Sequence, residues 1–201
     1  MRSIYFFLKV GVFLVATVAA RTVSAMDFSP RQARMLEDGV PSIRNFFKDG
    51  NTNILFRPAK GWRMAGGGNE VMFYPGALNG YIRLGNSPVG PAVPFDEKGI
   101  LTYLEAARGT LPKQAENVET LSQQGDAYPL DDWKSFEVRY SYELLGIKSV
   151  CWVLFITMTP DRQICYAVDG RQSDFDAILA DSRQMLGSWF EPPAGLLSLA
   201  R

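Results

Sequence analysis

The sequence predicts an α/β protein of the α+β type, a three-layer α/β/α sandwich around a mainly antiparallel sheet. Two observations lead to this prediction. Successive strand-like segments are joined by short connections, which favour antiparallel pairing because a parallel pair needs a long crossover. Residues 150–156 are apolar throughout, as expected of a strand that is covered on both faces. The sheet is therefore expected to carry helices on both sides.

The N-terminal part of the mature chain, residues 26–52, is predicted to be a helical segment. Residues 29–48 are helical in character and are interrupted at Pro41, which is tolerated in the first turn of a helix. A second short helix would then begin there and end at Gly50. Its apolar residues are Ile43, Phe46 and Phe47.

Short strands and one helix are predicted in the next part of the chain. Glycine and proline residues separate strands over 53–56, 70–74 and 81–84. Asp96 is a suitable N-cap for the helix that follows. The apolar stripe of this helix would comprise Ile100, Leu101, Leu104 and Ala107.

The second half of the sequence shows clearer periodicity. Strands are predicted over 118–123, 136–144, 150–156 and 163–168. Apolar and polar residues alternate in 136–144, which indicates one solvent-exposed face. A last helix begins at Ser173 or Asp174, and a Pro-Pro pair stops it. Its buried residues would be Phe175, Ile178, Leu179, Met185, Leu186, Trp189 and Phe190. These elements predict a single domain over 53–190 and a C-terminal tail over 191–201.

Residues 1–25 have the features of a cleavable signal peptide. Two basic residues precede an apolar run that is too short to span a bilayer. Val23 and Ala25 stand at the −3 and −1 positions of a cleavage site, and Ala20 offers an earlier alternative. No cysteine lies at the cut, so a lipoprotein is not expected. We therefore predict a periplasmic or secreted protein without a membrane span; an uncleaved anchor is the alternative.

Charge limits the classes of partner. Cleavage would remove three basic residues and no acidic one, which leaves 18 basic and 21 acidic residues and a net charge of −3. Nucleic acids and anionic lipids are bound by basic surfaces, and this composition does not favour one. About 175 residues suit one domain with a substantial core.

The two cysteines, Cys151 and Cys165, are predicted to be unpaired although the compartment would be oxidising. They fall on adjacent strands of a hairpin that turns near Pro160, and this turn would place Cys165 opposite Ile156. Side-chain alternation would then direct the two sulfurs to opposite faces of the sheet. A disulfide needs Cα atoms within about 7 Å, so we expect two buried thiols.

The sequence carries no recognised catalytic motif. It contains no histidine, the usual general base for Ser and Cys nucleophiles and the commonest zinc ligand. The Gly-rich run at 65–68 lacks a following Gly-Lys-Ser/Thr and helix, so it is interpreted as a hairpin turn rather than a phosphate site. We predict no catalytic residue, no metal and no cofactor.

Several segments together resemble the PsbP-like family. They are Phe56-Arg57-Pro58-Ala59-Lys60-Gly61-Trp62, the strand at 81–84, the helix at 97–108, the meander from 118 to 169 and the terminal Leu186-Gly187-Ser188-Trp189-Phe190. The resemblance covers residues 53–190. It implies the same three-layer fold and, since characterised members bind protein partners, a binding role without shared catalytic residues.

Two groups of residues are candidates for a functional site. Asp126, Asp131 and Asp132 lie in one loop, where they could hold Ca²⁺ or Mn²⁺ or simply form a solvated turn. Loop aromatics beside charges, including Tyr74, are typical of protein interfaces, although they also cap the ends of sheets. The predicted binding residues are Trp62, Arg63, Tyr128, Asp131, Asp132 and Trp133.

The favoured functional prediction is an exported, non-enzymatic binding or assembly module with a protein partner in the cell envelope. One alternative is a carboxylate-based, metal-dependent hydrolase that uses residues 126–132. Another is a small-ligand carrier with an apolar cavity between sheet and helix. Converging carboxylates in a deep pocket would favour the hydrolase, and a shallow patch would favour the binding module.

Overall fold

The computed structural model of the chain describes residues 25–37, 40–91, 93–126, 133–189 and 198–199. Within these ranges the chain forms eleven strands and two helices. In chain order they are β1 (Asp27–Glu37), β2 (Val40–Asp49), β3 (Thr52–Phe56), β4 (Arg63–Gly67), β5 (Glu70–Tyr74), β6 (Gly80–Asn86), α1 (Glu97–Arg108), β7 (Glu116–Gly125), β8 (Lys134–Leu144), β9 (Ile147–Thr159), β10 (Arg162–Arg171), α2 (Phe175–Leu186) and β11 (Ser198–Leu199).

Seven strands form the main sheet, in the order β4-β5-β6-β10-β9-β8-β7. All six neighbouring pairs are antiparallel. Long hairpins join β8 to β9 and β9 to β10, and these pairs occupy the middle of the sheet. The predicted α+β class with a mainly antiparallel sheet is confirmed.

The helices cover opposite faces of this sheet. In β9, Val153 and Phe155 belong to the apolar cluster beneath α1, whereas Trp152 and Leu154 belong to the cluster beneath α2. All four side chains are fully buried. The run at 150–156 is therefore apolar throughout for the reason predicted from the sequence: a helical layer covers the strand on each side.

The N-terminal segment forms a second sheet with the strand order β11-β1-β2-β3. The prediction of a helical segment over 26–52 is therefore wrong, since β1 and β2 form an antiparallel hairpin and β2 pairs with β3. Phe46 and Phe47 are both buried but face opposite sides of this sheet, beside Leu55 and Phe56 respectively. Two adjacent buried side chains suit a strand covered on both faces, a burial that sequence spacing does not reveal.

The second sheet packs on the α2 face of the main sheet and shares its core. The Phe47 ring stacks on Phe56 with centroids 4.0 Å apart and meets the edge of Phe28 at 5.4 Å. An ion pair between Arg162 of β10 and Asp49 of β2 joins the two sheets. The predicted boundary between an N-terminal segment and the domain therefore cuts through one continuous core.

Both helices begin at the predicted caps. The Asp96 carboxylate accepts hydrogen bonds from two backbone N–H groups of the first turn of α1, each at 3.0 Å. Asp174 precedes α2, but its carboxylate binds the side chain and backbone of Asn79 instead. The predicted apolar stripe of α1 needs one correction, because Leu101 is 71% exposed and Tyr103 is fully buried.

Strand β4 was not predicted, because glycines occupy its end. Gly66 and Gly67 have φ values of 100° and 153°, and the turn itself falls at Gly68 and Asn69. A Cβ atom on Gly67 would lie 2.9 Å from the Ser29 hydroxyl oxygen. Glycine at this position therefore lets the start of β1 cross close to β4.

Cys151 and Cys165 are free and buried. The predicted register is wrong by one residue, since Cys165 lies opposite Phe155 and Cys151 lies opposite Asp169. Both sulfurs therefore face α1 rather than opposite sides. Four positions along the hairpin separate the two thiols, on the order of 13 Å at the rise of a β-strand.

Several predictions fall at the ends of the chain. Of the predicted signal peptide only Ala25 is among the described residues, and Phe190 lies outside them. In the predicted tail, Ser198 and Leu199 pair with Arg34 and Ala33 of β1. Neither α1 nor α2 is long and apolar enough to cross a membrane, and the described residues contain no other helix.

Candidate functional site

The loop at 57–62 is attached to the C-terminal half of α2 by two hydrogen bonds. The indole Nε1 of Trp62 donates to Asp181 Oδ2 at 3.1 Å. The backbone N–H of Arg57 donates to Ser188 Oγ at 2.8 Å, and that hydroxyl donates to a carbonyl of the last helical turn at 2.6 Å. These bonds fix the loop against the helix without filling the space between them.

Two clefts, which we call the α2 clefts, flank the contact between Arg57 and Ser188. The larger has a volume of about 590 Å³ and lies between residues 57–60 of the loop and the polar side chains of α2. The smaller has a volume of about 250 Å³ and lies between Arg44 in the middle of β2, the end of β3 and Trp189. Because both clefts share Arg57 and Ser188, one extended segment could contact both.

Trp189 forms one wall of the smaller cleft. Its ring is half-buried and meets the Phe47 ring edge-on at a centroid distance of 6.2 Å, so it is less buried than the sequence predicts. Its indole Nε1 is buried and has no hydrogen-bond partner among the described residues. A buried donor without a partner costs free energy.

The α2 clefts are bordered mainly by positive charge. Arg57 and Lys60 line the larger cleft, and Arg44 lines the smaller. Asp181 is the acidic residue among the lining side chains, and its carboxylate already accepts the Trp62 hydrogen bond. The clefts therefore favour a ligand that carries carboxylates or other acceptors.

The predicted binding residues do not form one patch. Trp62 and Arg63 lie at the start of β4, Trp133 immediately precedes β8, and four strands separate β4 from β8. Arg63 pairs with Tyr74 at one end of the sheet, whereas Trp133 lies at the other end. Tyr128, Asp131 and Asp132, which complete the predicted set, lie outside the described residues.

The two predicted tryptophans are half-buried and pack against the core on the α2 face. Trp62 positions the loop through Asp181 rather than presenting a free ring. Arg63 is exposed, and its cross-strand neighbour Tyr74 is 36% exposed. Asp126 is exposed at the end of β7, where its backbone N–H donates to the Ser135 carbonyl at 2.7 Å.

A buried polar cluster lies on the α1 face around Asp169. This carboxylate is 7% exposed, and the Tyr142 hydroxyl lies 2.7 and 2.8 Å from its two oxygens. Burial raises the pKa of Asp169, and burial together with the nearby carboxylate raises the pKa of Tyr142. Burial also raises the pKa of Tyr81 to about 12. Tyr142 and Asp169 bind one another within the core, which is typical of a structural network.

The thiols are poor nucleophiles in this fold. Burial raises the pKa of Cys165 to about 12 and also raises the pKa of Cys151. A nucleophilic cysteine needs a thiolate in a partly exposed, electropositive site, which neither residue has. Among the described residues, no group of three or more His, Cys, Asp or Glu side chains is placed to hold a metal ion.

Sequence reasoning missed Arg44, Asp181 and Ser188 as site residues, although one signal was present. Residues 56–60 and 187–189, which belong to the segments that carry the resemblance to the PsbP-like family, form facing walls of the α2 clefts. Each segment alone looks like an ordinary turn. Their contact depends on residues far apart in the chain, so it is a property of the fold.

Comparisons with known proteins give similarities of fold. No family model matches the sequence, and no curated protein matches it. A Pseudomonas aeruginosa protein of unknown function described as a putative regulator is 13% identical, with a TM-score of 0.47, covering 75% of this chain and 99% of that one. A Ran-binding protein of Saccharomyces cerevisiae is 10% identical, with a TM-score of 0.46, covering 85% of this chain and 100% of that one.

The PsbP protein of the cyanobacterium Synechocystis is 12% identical, with a TM-score of 0.38, covering 74% of this chain and 86% of that one. At these identities and TM-scores, the three structures assign no family to this chain, and no residue's role is carried over from them.

Proposed function

We propose that the protein is an exported, non-enzymatic binding module that holds an acidic segment of a protein partner in the α2 clefts. The observation that carries the proposal is the fixed loop at 57–62, which two hydrogen bonds hold beside α2 with open clefts on both sides. A site formed before binding loses little conformational entropy when it is occupied.

The groups around the clefts favour binding over chemistry. Basic side chains border them, and the described lining includes no thiol, while the whole sequence lacks histidine. Asp181 is engaged by the Trp62 indole and is thereby held in a positioning role. Nothing in this lining supplies a nucleophile paired with a general base.

The charges define the partner segment. Arg44, Arg57 and Lys60 would pair with carboxylates, and guanidinium groups bind them with two parallel hydrogen bonds. The unpaired Nε1 of Trp189 would donate to an acceptor in the smaller cleft. An extended segment rich in Asp or Glu meets both requirements.

Charge reversal tests the proposal. The mature protein, immobilised on a resin, should capture a partner from envelope extract, and the Arg57→Glu/Lys60→Glu variant should lose that partner. The matched control is Lys98→Glu/Lys113→Glu, which makes the same charge change at exposed residues on the α1 side of the molecule. Capture by the wild type should also weaken as salt is added.

A finer variant tests the indole donor. Trp189→Phe keeps a ring against Phe47 and removes Nε1, so affinity for the captured partner should fall about fivefold, equivalent to about 1 kcal/mol. Undiminished capture by Arg57→Glu/Lys60→Glu would overturn the proposal. Loss of a metal-dependent hydrolytic turnover in Asp131→Asn or Asp132→Asn would replace it with the hydrolase alternative.

A further inference from the structure

The start of β1 shows a sharp change in burial. Ala25 is exposed, whereas the Met26 side chain is 1% exposed and belongs to the core beneath α2. Phe28, two residues later, is fully buried in the same core. Among the described residues, burial therefore begins at Met26, the residue that follows the predicted cleavage site.

The Asn86 side chain holds the backbone of Met26 on both sides. The Met26 N–H donates to Asn86 Oδ1 at 3.0 Å, and Asn86 Nδ2 donates to the Met26 carbonyl at 3.0 Å. One amide side chain thus makes the pair of hydrogen bonds that a neighbouring strand would make. It can do so at the end of β6 because β1 does not pair with that strand in either sheet.

The next residues are anchored at the turn between β4 and β5. The Phe28 N–H donates to the Gly68 carbonyl at 2.8 Å, and the Gly68 N–H donates to Ser29 Oγ at 3.0 Å. Gly67 provides the close approach that this crossing needs. Anchoring is therefore continuous from Met26 to Ser29.

We propose that Met26 is the first residue of the mature protein and that Asn86 is the receptor for its α-ammonium group. Signal peptidase would hydrolyse the Ala25–Met26 bond with one water molecule, leaving a carboxylate on Ala25 and an amine on Met26 that takes up a proton. The ammonium keeps the hydrogen bond to Asn86 Oδ1, now with a charged donor, which is a stronger bond. Its other protons face solvent, where Ala25 is exposed.

Asp27, Glu70 and the Arg162–Asp49 ion pair are charged groups on the elements around Met26. Hydrogen bonds from Ser29, followed by the contact with Arg31, lower the pKa of Asp27 to about 2, so this carboxylate remains ionised above pH 6. Glu70 is exposed on β5, and the Arg162–Asp49 pair lies where β10 meets β2. The α-amine, with an ordinary pKa of about 7.7–8.0, is the group that titrates near neutrality.

This inference rests on the export of the chain, as the proposed function does, but it does not depend on binding in the α2 clefts. The first measurement is the intact mass of the protein recovered from the periplasm or medium of a host that expresses residues 1–201. We expect the mass of residues 26–201. A product that begins at Arg21, from the alternative site after Ala20, or an uncleaved chain would overturn the inference.

The second measurement tests Asn86 with two purified chains, one beginning at Met26 and one at Arg21. In the chain from Met26, Asn86→Asp should pair a carboxylate with the ammonium and raise its folded-state pKa. The stabilisation is then fully present below the unfolded pKa of the amine and is lost as pH rises through the folded pKa. The melting temperature of this variant, relative to wild type, should therefore fall between about pH 7 and 9.

In the chain from Arg21 the nitrogen of Met26 is an amide that does not titrate, so Asn86→Asp should show no such fall. Equal pH dependence in both chains would overturn the role of Asn86. If the variant does not fold, acylation of the wild-type α-amine at pH 7 gives the same information. It should be slower in the native chain from Met26 than in the native chain from Arg21, and equal rates would contradict the proposal.

Discussion

The two faces of the main sheet differ in the kinds of side chain that are buried on them. The α2 face is packed with aliphatic and aromatic side chains, among them the stacked Phe47 and Phe56 rings, and the second sheet adds to it. The α1 face contains buried polar groups. There the Tyr142 hydroxyl binds Asp169, and the Gln163 side chain donates to the Tyr103 hydroxyl at 2.8 Å.

This difference separates the two kinds of stabilisation in the molecule. On the α2 face, apart from the Arg162–Asp49 ion pair and the Tyr166–Ser182 hydrogen bond, stability depends on volume and buried apolar area, which vary little with pH. On the α1 face it also depends on hydrogen bonds to a buried carboxylate, and such bonds change with protonation. Substitutions on the two faces should therefore differ in size and in pH dependence.

The largest effect is expected on the α2 face. Phe47→Ala removes a fully buried ring that contacts Phe28, Phe56 and Trp189, and we expect a loss of about 3–5 kcal/mol in the free energy of unfolding. Urea denaturation measures it. Ile43→Ala on the same strand, at a residue that is 61% exposed, should change stability by less than about 0.5 kcal/mol. Equal losses would mean that the second sheet does not pack as described.

A smaller effect is expected on the α1 face. Tyr142→Phe leaves the Asp169 carboxylate without its hydroxyl donor, which should cost about 1–3 kcal/mol at neutral pH. Tyr74→Phe, on an exposed part of the same face, is the control and should be nearly neutral. A loss of similar size from both variants would show that the hydrogen bond to Asp169 is not the cause of the loss in stability.

The pH dependence of stability tests the role of Asp169 on the α1 face. Burial raises the folded-state pKa of Asp169, so the folded protein holds this proton more tightly than the unfolded chain. Wild type should therefore lose stability relative to Asp169→Asn as pH rises from about 4 through the folded pKa, because the variant has no charge to bury. Urea denaturation of both proteins from pH 4 to 8 measures the difference. A difference that does not vary with pH would contradict this assignment.

The two helix caps also differ, because only the carboxylate at the start of α1 accepts hydrogen bonds from the helix backbone. Asp96→Ala removes two hydrogen bonds to the first turn of α1 and should cost about 1 kcal/mol. Asp174→Ala removes contacts with Asn79 and leaves no helical N–H newly unpaired, so its cost should be smaller. Thermal melts of the two variants provide the test, and the opposite order of stability would refute it.

The smallest effect concerns the thiols, which should not react in the folded protein. Because burial raises the pKa of both Cys151 and Cys165, a thiol reagent at neutral pH should label neither in the native state. Two thiols should appear after denaturation without reductant. A native mass lower by two hydrogen atoms would instead reveal a disulfide that the separation of the two strand positions does not allow.

The candidate site shows how far the sequence reaches. It picks out Trp62 as a loop aromatic, and the resemblance draws attention to both segments that line the α2 clefts. It does not bring them together, because Arg57 and Ser188 are 131 residues apart and meet only when the residues after α2 lie beside the loop that follows β3. It also groups Trp62 with Trp133, which the sheet order separates by four strands.

The sequence by itself determined the elements whose pattern is local. Alternation fixes β8, the apolar run at 150–156 fixes β9, and helical spacing fixes α2, because each pattern states which faces of its own element are buried. Asp96 and Asp174 mark the helix starts, because a helix cap is also a signal within the local sequence.

Only the tertiary structure decided the rest. The segment 27–49 becomes a hairpin because β3 and β11 supply edges to pair with and the main sheet covers Phe47, and none of these partners is encoded within the segment. The register that places both cysteines on one face is set by a bulge near Arg162. Backbone pairing and burial are satisfied between distant parts of the chain, so local spacing cannot specify them.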